Sequence, residues 1–227
     1  MWVETAENTI QQVVSQKSVS FEEQTYGIRL TGIVQGVGFR PFVYQLAHEW
    51  GLTGTVSNGP EGVKVVLTTD PTTANRFLET LLANTPPQAL VEKYELESLP
   101  FCSFQTFKII ESQAGKLTNG LKLTPDFAMC SSCRAELHDP QNRRFRYPFI
   151  TCTQCGPRYS IQRAVPYDRA QTTMQVFEMC PACLDEYNDP NHRRFYSQTN
   201  SCPTCGIQLG WYTCRQATAY SSSFLHD

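Results

Sequence analysis

Eight of the ten cysteines in this 227-residue chain have a spacing that suits metal coordination. They form four Cys-x-x-Cys pairs: Cys130, Cys133, Cys152, Cys155, Cys180, Cys183, Cys202 and Cys205. Two thiolates three residues apart can bind one ion together, and a second pair completes a tetrahedron. Four thiolates with no histidine at matching positions favour Zn²⁺ or an iron–sulfur cluster, of which Zn²⁺ fits best. Because such a set leaves no open coordination position, the sequence predicts two structural zinc ions.

These cysteines belong to a repeat with an offset of 50 residues. CSSCRAELHDPQNRRFRYPFITCTQCG, from Cys130, matches CPACLDEYNDPNHRRFYSQTNSCPTCG, from Cys180. We expect each repeat to bind its own zinc ion, and an interleaved pairing across the repeats is the alternative. Disulfides or a thioredoxin-like redox pair are less favoured, because no secretory signal precedes the repeats and no βαβ pattern surrounds them.

The repeats are also rich in arginine: Arg143, Arg144, Arg146, Arg193 and Arg194. A basic face for nucleic acid is one interpretation. The region, however, lacks the Lys/Arg excess that phosphate-driven binding requires. We therefore expect these side chains to offset the negative charge of the tetrathiolate sites and of Asp139 and Asp189.

A glycine-rich turn in the first half of the chain could bind an anion. It comprises Gln35, Gly36, Val37, Gly38, Phe39 and Arg40. Both glycines can adopt positive φ and expose backbone N–H groups. A helix predicted directly afterwards would direct its free N–H groups at the same concavity, and Arg40 could bind two phosphate oxygens. The turn has neither the third glycine of a dinucleotide motif nor the Gly-Lys-Ser/Thr of a P-loop.

Asn58 is a second candidate for chemistry. It ends a predicted strand that can lie beside the turn in a split βαβ topology, where its amide could orient a water molecule toward a phosphorus held by Arg40. Asn58-Gly59 also has the composition of an ordinary hairpin turn. From these residues alone, the hairpin turn is the favoured interpretation.

The elements that position these residues follow the order β-α-β-β-α-β plus one short edge strand. The predicted strands are 26–34, 53–57, 63–69, 91–99 and 104–111, and the predicted helices are 41–50 and 72–83. This order is the ferredoxin-like arrangement of an α+β domain. The duplicated cysteine units would follow it as a small second domain.

Charge and composition narrow the class of protein. The net charge of −2 and the pI of about 6.1 give no general reason to expect nucleic acid or an anionic membrane as a partner. No apolar run is long enough to span a membrane, and the polar N-terminus lacks the features of a secretory signal. We therefore expect a cytoplasmic protein with reduced thiols.

Residues from Tyr26 to about Ile110 resemble the acylphosphatase family. The resemblance rests on VQGVGFR, which ends at Arg40, and on Asn58 within TVSNGPEGVKV. It implies that Arg40 binds the phosphate and that Asn58 positions the hydrolytic water. A carboxylate or carbamate leaves without protonation, so such a site needs no histidine or carboxylate pair.

With the duplicated fingers in the same order, residues 24–206 resemble the N-terminal part of the HypF family of carbamoyltransferases, which act in [NiFe]-hydrogenase maturation. In that family the acylphosphatase-like domain is thought to cleave carbamoyl phosphate. Further domains then make a carbamoyl-adenylate and pass the carbamoyl group to a partner protein. The resemblance implies an acyl or carbamoyl phosphate as substrate and hydrogenase-maturation proteins as partners.

The resemblance also suggests how the chain is divided. We expect a flexible extension (1–23), an acylphosphatase-like domain (24–112), a linker (113–126), a tandem zinc-finger domain (127–207) and a divergent tail (208–227). The tail suggests a truncated product, a frameshift or a fragment, so full carbamoyl transfer is not expected of this chain alone. The alternative to an enzyme is a non-catalytic zinc-binding docking module, but the presence of both Arg40 and Asn58 favours the enzyme.

Overall fold

A five-stranded sheet with two helices forms the first part of the computed structural model, which describes residues 23–113 and 121–210. The elements are β1 (Gln24–Ile33), α1 (Phe39–Glu49), β2 (Thr53–Gly59), β3 (Gly62–Thr69), α2 (Pro71–Ala83), β4 (Leu90–Leu99) and β5 (Phe107–Ile109). The strand order is β4-β1-β3-β2-β5. All neighbours are antiparallel except β5, which pairs parallel with β2. The predicted ferredoxin-like fold is confirmed.

Buried and more exposed side chains alternate along the strands, and the buried ones lie on the face of the sheet that the helices cover. Ile28 and Leu30 of β1 are fully buried together with Val65 and Leu67 of β3, in one apolar cluster with both helices. Residues one position away point to the opposite face, as the period of a strand requires. There Arg29 lies 2.9 Å from a carboxylate oxygen of Glu95 and 3.3 Å from one of Glu97, all three side chains being partly exposed.

The helices begin slightly earlier than the sequence predicts. Helix α1 starts at Phe39 rather than Pro41, so Pro41 lies within its first turn. A proline is tolerated there because the N–H group that it lacks would have no partner within the helix. Helix α2 starts at Pro71, where Asp70 caps it by accepting hydrogen bonds from the backbone N–H groups of Thr72 and Thr73. The apolar stripe of each helix faces the sheet.

The second part has little regular secondary structure and repeats itself. Its elements are helices α3 (Ser131–His138) and α4 (Pro181–Asn188), and 3₁₀ turns at Tyr159–Ile161, Arg169–Gln171 and Thr173–Val176. Each helix starts directly after the first cysteine of its repeat. Arg146 and Tyr196, 50 residues apart, share a φ of 57° and 58°. The sequence repeat is therefore a structural repeat.

The two repeats are joined by reciprocal ion pairs. Arg143 and Arg144 of the first repeat contact Glu186 of the second at 3.0 and 2.5 Å. Arg193 and Arg194 of the second contact Glu136 of the first, both at 2.5 Å. These glutamates, rather than the expected Asp139 and Asp189, are the carboxylates that the arginines bind.

The second part packs against the α1 side of the sheet domain. The ring of Tyr44 lies 5.2 Å from the ring of Phe195, and the Gln45 amide donates to the carbonyl of Pro190 at 2.6 Å. Thr124, within the expected linker, is buried and donates to the carbonyl of Gln35 at 2.5 Å. The glycine-rich turn is thereby enclosed between the two parts.

Several predicted segments lie partly or wholly outside the described residues. These are most of the extension 1–23, the middle of the linker 113–126 and most of the tail 208–227. Within residues 23–113 and 121–210, no helix has the length and apolar character that crossing a membrane requires.

Candidate functional site

The glycine-rich turn between β1 and α1 has the backbone conformation that its sequence predicts. Gly36 and Gly38 have φ values of 71° and 78°, in the left-handed region that favours glycine. Gly38 precedes α1 without a side-chain cap, so the N–H groups of the first helical turn remain available to an anion. A side chain at Gly36 would also meet Arg158, since a Cβ there would lie 3.2 Å from its Cδ atom.

Arg40 and Asn58 converge on one atom. Arg40 is 6% exposed and Asn58 is 1% exposed. The Arg40 Nη2 and Asn58 Nδ2 atoms donate to the carbonyl oxygen of Tyr167 at 3.0 and 3.2 Å. The turn after β1 and the end of β2 thus bring a guanidinium and a carboxamide to the same point.

Other groups complete the surroundings of the Arg40 guanidinium. Its Nη1 atom lies 2.7 Å from a carboxylate oxygen of Asp168 and 3.2 Å from the hydroxyl of Ser112. Its Cζ atom lies 5.1 Å from the centre of the Tyr196 ring, within the range of a cation–π contact. The guanidinium therefore binds an anionic group, Asp168, in this conformation.

A small cavity adjoins these residues. Its volume is about 30 Å³, and Gly36, Gly38, Arg40 and Asn58 all contribute to its lining. This is enough space for one water molecule. The Asn58 Oδ1 atom is buried and has no hydrogen-bond partner among the described residues, so it can accept a hydrogen bond from a small molecule beside it.

The side chain of Gln35 connects three segments rather than facing the cradle alone. Its Nε2 atom donates to the carbonyls of Gly59 and Gly62 at 2.7 and 2.9 Å. Its Oε1 atom accepts a hydrogen bond from the Tyr167 backbone N–H at 2.8 Å. Gln35 thus fixes the β2–β3 turn, which follows Asn58, and holds Tyr167 over the site.

The eight paired cysteines lie in two clusters, one in each repeat and none shared between repeats. One contains Cys130, Cys133, Cys152 and Cys155, and the other Cys180, Cys183, Cys202 and Cys205. Within each cluster all sulfur atoms lie within 4.8 Å of one another, and none is in a disulfide. A tetrahedron with Zn–S bonds of about 2.3 Å requires sulfur atoms about 3.8 Å apart. The distances between Cys152 and its neighbours Cys130 and Cys155, both 3.8 Å, fit zinc.

Arginines of the opposite repeat lie against these sulfur atoms. Arg143 donates to the Cys183 sulfur and Arg193 to the Cys133 sulfur, both at 3.0 Å. Burial alone would raise the pKa of Glu186, but hydrogen bonds from Arg144 and Arg143 outweigh it and lower the pKa to about 2. The arginines thus offset both thiolate and carboxylate charge between the repeats.

Comparison with known proteins agrees with both parts of the structure. The acylphosphatase family profile matches residues 26–109, and the HypF finger profile matches residues 129–162 and 179–212. An acylphosphatase from Lactobacillus johnsonii is 38% identical over 78 residues, which cover 34% of this chain and 86% of that protein. This chain belongs to the acylphosphatase family.

The wider chain is similar to HypF carbamoyltransferases, as expected from the sequence. Carbamoyltransferase HypF from Synechocystis is 49% identical over 154 residues, covering 68% of this chain and 20% of that protein. A crystal structure of full-length HypF in its phosphate- and nucleotide-bound form superposes with a TM-score of 0.77 and 37% identity, over 85% of this chain and 26% of that one. The HypF of T. kodakarensis gives a TM-score of 0.69 at 43% identity, over 81% of this chain and 23% of that one. The chain spans about a fifth of the length of the curated HypF relatives.

Sequence reasoning missed the contribution of the finger region to the surroundings of Arg40 and Asn58. Tyr167 and Asp168 contact Arg40, although Tyr167 is 127 residues from it in sequence. Burial raises the pKa of the Tyr167 hydroxyl, which therefore stays protonated at neutral pH. No local pattern marks these two residues. Arg158 could have been singled out from the sequence, because the two repeats differ there: the matching residue of the second repeat is Gln208.

Proposed function

We propose that this chain hydrolyses an acyl phosphate or carbamoyl phosphate at the Arg40–Asn58 site. The observation that carries the proposal is the convergence of two buried donors, from the turn after β1 and the end of β2, on the Tyr167 carbonyl oxygen. This convergence places a cationic donor and a carboxamide side by side, where they can bind a phosphoryl group and a neighbouring water molecule and stabilise developing charge. Membership of the acylphosphatase family supports the same assignment.

In the proposed reaction the phosphoryl group lies in the cradle of residues 35–40. The loop N–H groups and Arg40 bind its oxygens, and Asn58 orients a water molecule. The water oxygen bonds to phosphorus while the bond from phosphorus to the acyl oxygen breaks. The carboxylate or carbamate leaves with that electron pair, and both protons of the water leave on the inorganic phosphate, which then equilibrates with solvent. Catalysis is then positioning and charge stabilisation.

Substrate binding exchanges one anion for another. In the structure the Asp168 carboxylate and the Tyr167 carbonyl occupy donors of Arg40, and the cavity of about 30 Å³ is smaller than a phosphoryl group with its leaving group. A substrate phosphate therefore takes the place of Asp168 on the guanidinium. The segment that carries Tyr167 and Asp168 moves outward in that step.

In its biological setting the chain would act as the N-terminal portion of a HypF-like carbamoyltransferase used in [NiFe]-hydrogenase maturation. The HypF relatives and the finger profile support this role. Domains at 24–112 and 127–207, two zinc ions, hydrogenase-maturation proteins as partners and a cytoplasmic location are parts of the same proposal. The zinc ions would fold the fingers and take no part in the hydrolysis.

Steady-state hydrolysis by the zinc-loaded chain tests the proposal. Carbamoyl phosphate and an aromatic acyl phosphate serve as substrates, and Arg40→Ala is compared with Arg76→Ala, which removes an exposed guanidinium of the same domain. We expect wild type and Arg76→Ala to be active, and Arg40→Ala to lose roughly 10²–10³ in rate. A folded, zinc-loaded wild type no faster than buffer would favour the docking module instead.

A further inference from the structure

Arg158 lies between the first zinc cluster and the glycine-rich turn. Its side chain is buried, with a relative exposure of 2%. Its Nε atom donates to the carbonyl of Gly36. Its Nη2 atom donates to the carbonyls of Cys152 and Thr153 at 2.9 and 3.0 Å, and its Nη1 atom to those of Cys155 and Pro157 at 3.1 and 2.7 Å. All five N–H donors of the guanidinium are therefore used.

The second repeat shows that a zinc cluster does not need this arginine. The residue at the matching position, 50 residues later, is Gln208. Gln208 is exposed, and its amide donates to the carbonyl of Pro203 within the same repeat. The second cluster nevertheless brings its four sulfur atoms as close together as the first does. What distinguishes Arg158 is its contact with the turn that contains Gly36.

That contact fixes the direction of an anion-binding group. The carbonyl of Gly36 and the N–H of Val37 belong to one planar trans peptide, so holding the carbonyl also fixes the N–H. Gly36 has a φ of 71°, a conformation that an unrestrained turn would leave easily. Arg158 also packs closely against the turn, because a Cβ atom at Gly36 would lie 3.2 Å from the Arg158 Cδ atom.

We infer that Arg158 is a positioning residue, which holds the turn of residues 35–40 in its anion-binding conformation and ties it to the first zinc site. The inference rests on the proposed function for its kinetic consequences, but the restraint itself does not require catalysis. The carbonyls of Cys152 and Cys155 belong to zinc-ligating residues, so Arg158 can hold the turn in place only while the first finger is folded.

The test replaces Arg158 by the residue that the second repeat carries. Arg158→Gln is compared with wild type and with Arg163→Gln, which makes the same charge change at an exposed position five residues away. Arg158→Lys can still donate to Gly36, while giving up most of the finger carbonyls. For each protein we would measure bound zinc, the affinity for inorganic phosphate by calorimetry, KM and kcat, and hydrogen exchange in residues 35–40.

We expect Arg158→Gln to keep two zinc ions, to bind phosphate about tenfold more weakly and to show faster exchange in the turn. KM should rise about as much as phosphate affinity falls, whereas kcat changes less, because the turn binds the phosphate before and during the reaction. Arg158→Lys should be intermediate and Arg163→Gln unchanged.

Two results would overturn the inference. One is an Arg158→Gln protein with two zinc ions, unchanged phosphate affinity and unchanged exchange in the turn. The other is loss of zinc from the first finger, which would make Arg158 a structural residue of that finger. The proposed function fails separately, if wild type hydrolyses no acyl phosphate. The exchange measurement would still decide on Arg158 in that case.

Discussion

In this structure the Arg40 guanidinium is paired with the Asp168 carboxylate, the group that a substrate phosphate would replace. The Asp168 carboxylate lies 2.7 Å from the guanidinium, and under the proposed function phosphate would compete with it for that position. The apparent affinity for a ligand equals the intrinsic affinity multiplied by the fraction of molecules in which the binding site is open. The groups that surround Arg40 therefore control how tightly it can bind phosphate.

Replacing Asp168 by asparagine should strengthen phosphate binding. The carboxamide keeps the size of the side chain but removes its charge, so we expect inorganic phosphate to bind about tenfold more tightly, a change of about 1.4 kcal/mol. Calorimetric titration measures this, with Asp185→Asn, an exposed acid in α4, as the control. Weaker binding in Asp168→Asn would mean that Asp168 organises the site rather than competing for it.

Replacing Asn58 by alanine should lower kcat while leaving phosphate affinity nearly unchanged. If Asn58 orients the water, kcat falls by roughly 10²-fold, comparable to the loss of one preorganised donor, while phosphate affinity changes little. Asn75→Ala, in the exposed part of α2, is the matched control. Equal losses in phosphate affinity and kcat would instead place Asn58 among the phosphate ligands.

Between elements, the reciprocal arginine–glutamate pairs hold the two fingers together. Removing one partner of a buried ion pair typically destabilises by about 3–5 kcal/mol. We expect somewhat less, roughly 2–3 kcal/mol, for Glu136→Gln, because the Glu136 side chain keeps 19% exposure. Denaturant unfolding of the zinc-loaded protein measures it. Glu178→Gln, at an exposed position, should change nothing.

An independent unfolding of the two fingers would argue against this coupling. If each finger is autonomous, Glu136→Gln should destabilise neither by more than about 0.5 kcal/mol, the usual size of a surface effect.

Local sequence patterns predicted most helices and strands, whereas the features that depend on contacts between distant residues were not predicted. Alternating apolar residues marked β1 and β3, and the cysteine spacing marked both clusters, because each signal lies within a few residues. The strand expected over 104–111 is only Phe107–Ile109 in the structure. The sequence suggests Arg40 and Asn58 as candidate site residues, but it does not predict the contact of Tyr167 with both. Nothing in the neighbourhood of Tyr167 specifies which distant turn it meets.

For the whole molecule, zinc should support one part of the fold far more than the other. The sheet domain has its own apolar core. The Lactobacillus johnsonii relative consists almost entirely of the matching segment. The second part relies on clusters whose metal would supply on the order of 10 kcal/mol each.

Chelation of zinc should therefore unfold the fingers and leave the sheet. Hydrogen exchange should show lost protection in residues 127–207, with retained protection at Ile28 and Val65 in the core strands. Simultaneous unfolding of both parts, or of neither, would contradict this division.

Hydrolysis of acetyl phosphate or carbamoyl phosphate by the zinc-loaded chain in ¹⁸O-water tests directly whether the Arg40–Asn58 site is catalytic. We predict a rate well above that of buffer, with one ¹⁸O atom in the inorganic phosphate, because water would attack phosphorus beside Arg40 and Asn58. Label found in the acetate released from acetyl phosphate, or a rate equal to that of buffer from a folded protein with two zinc ions, would contradict this prediction.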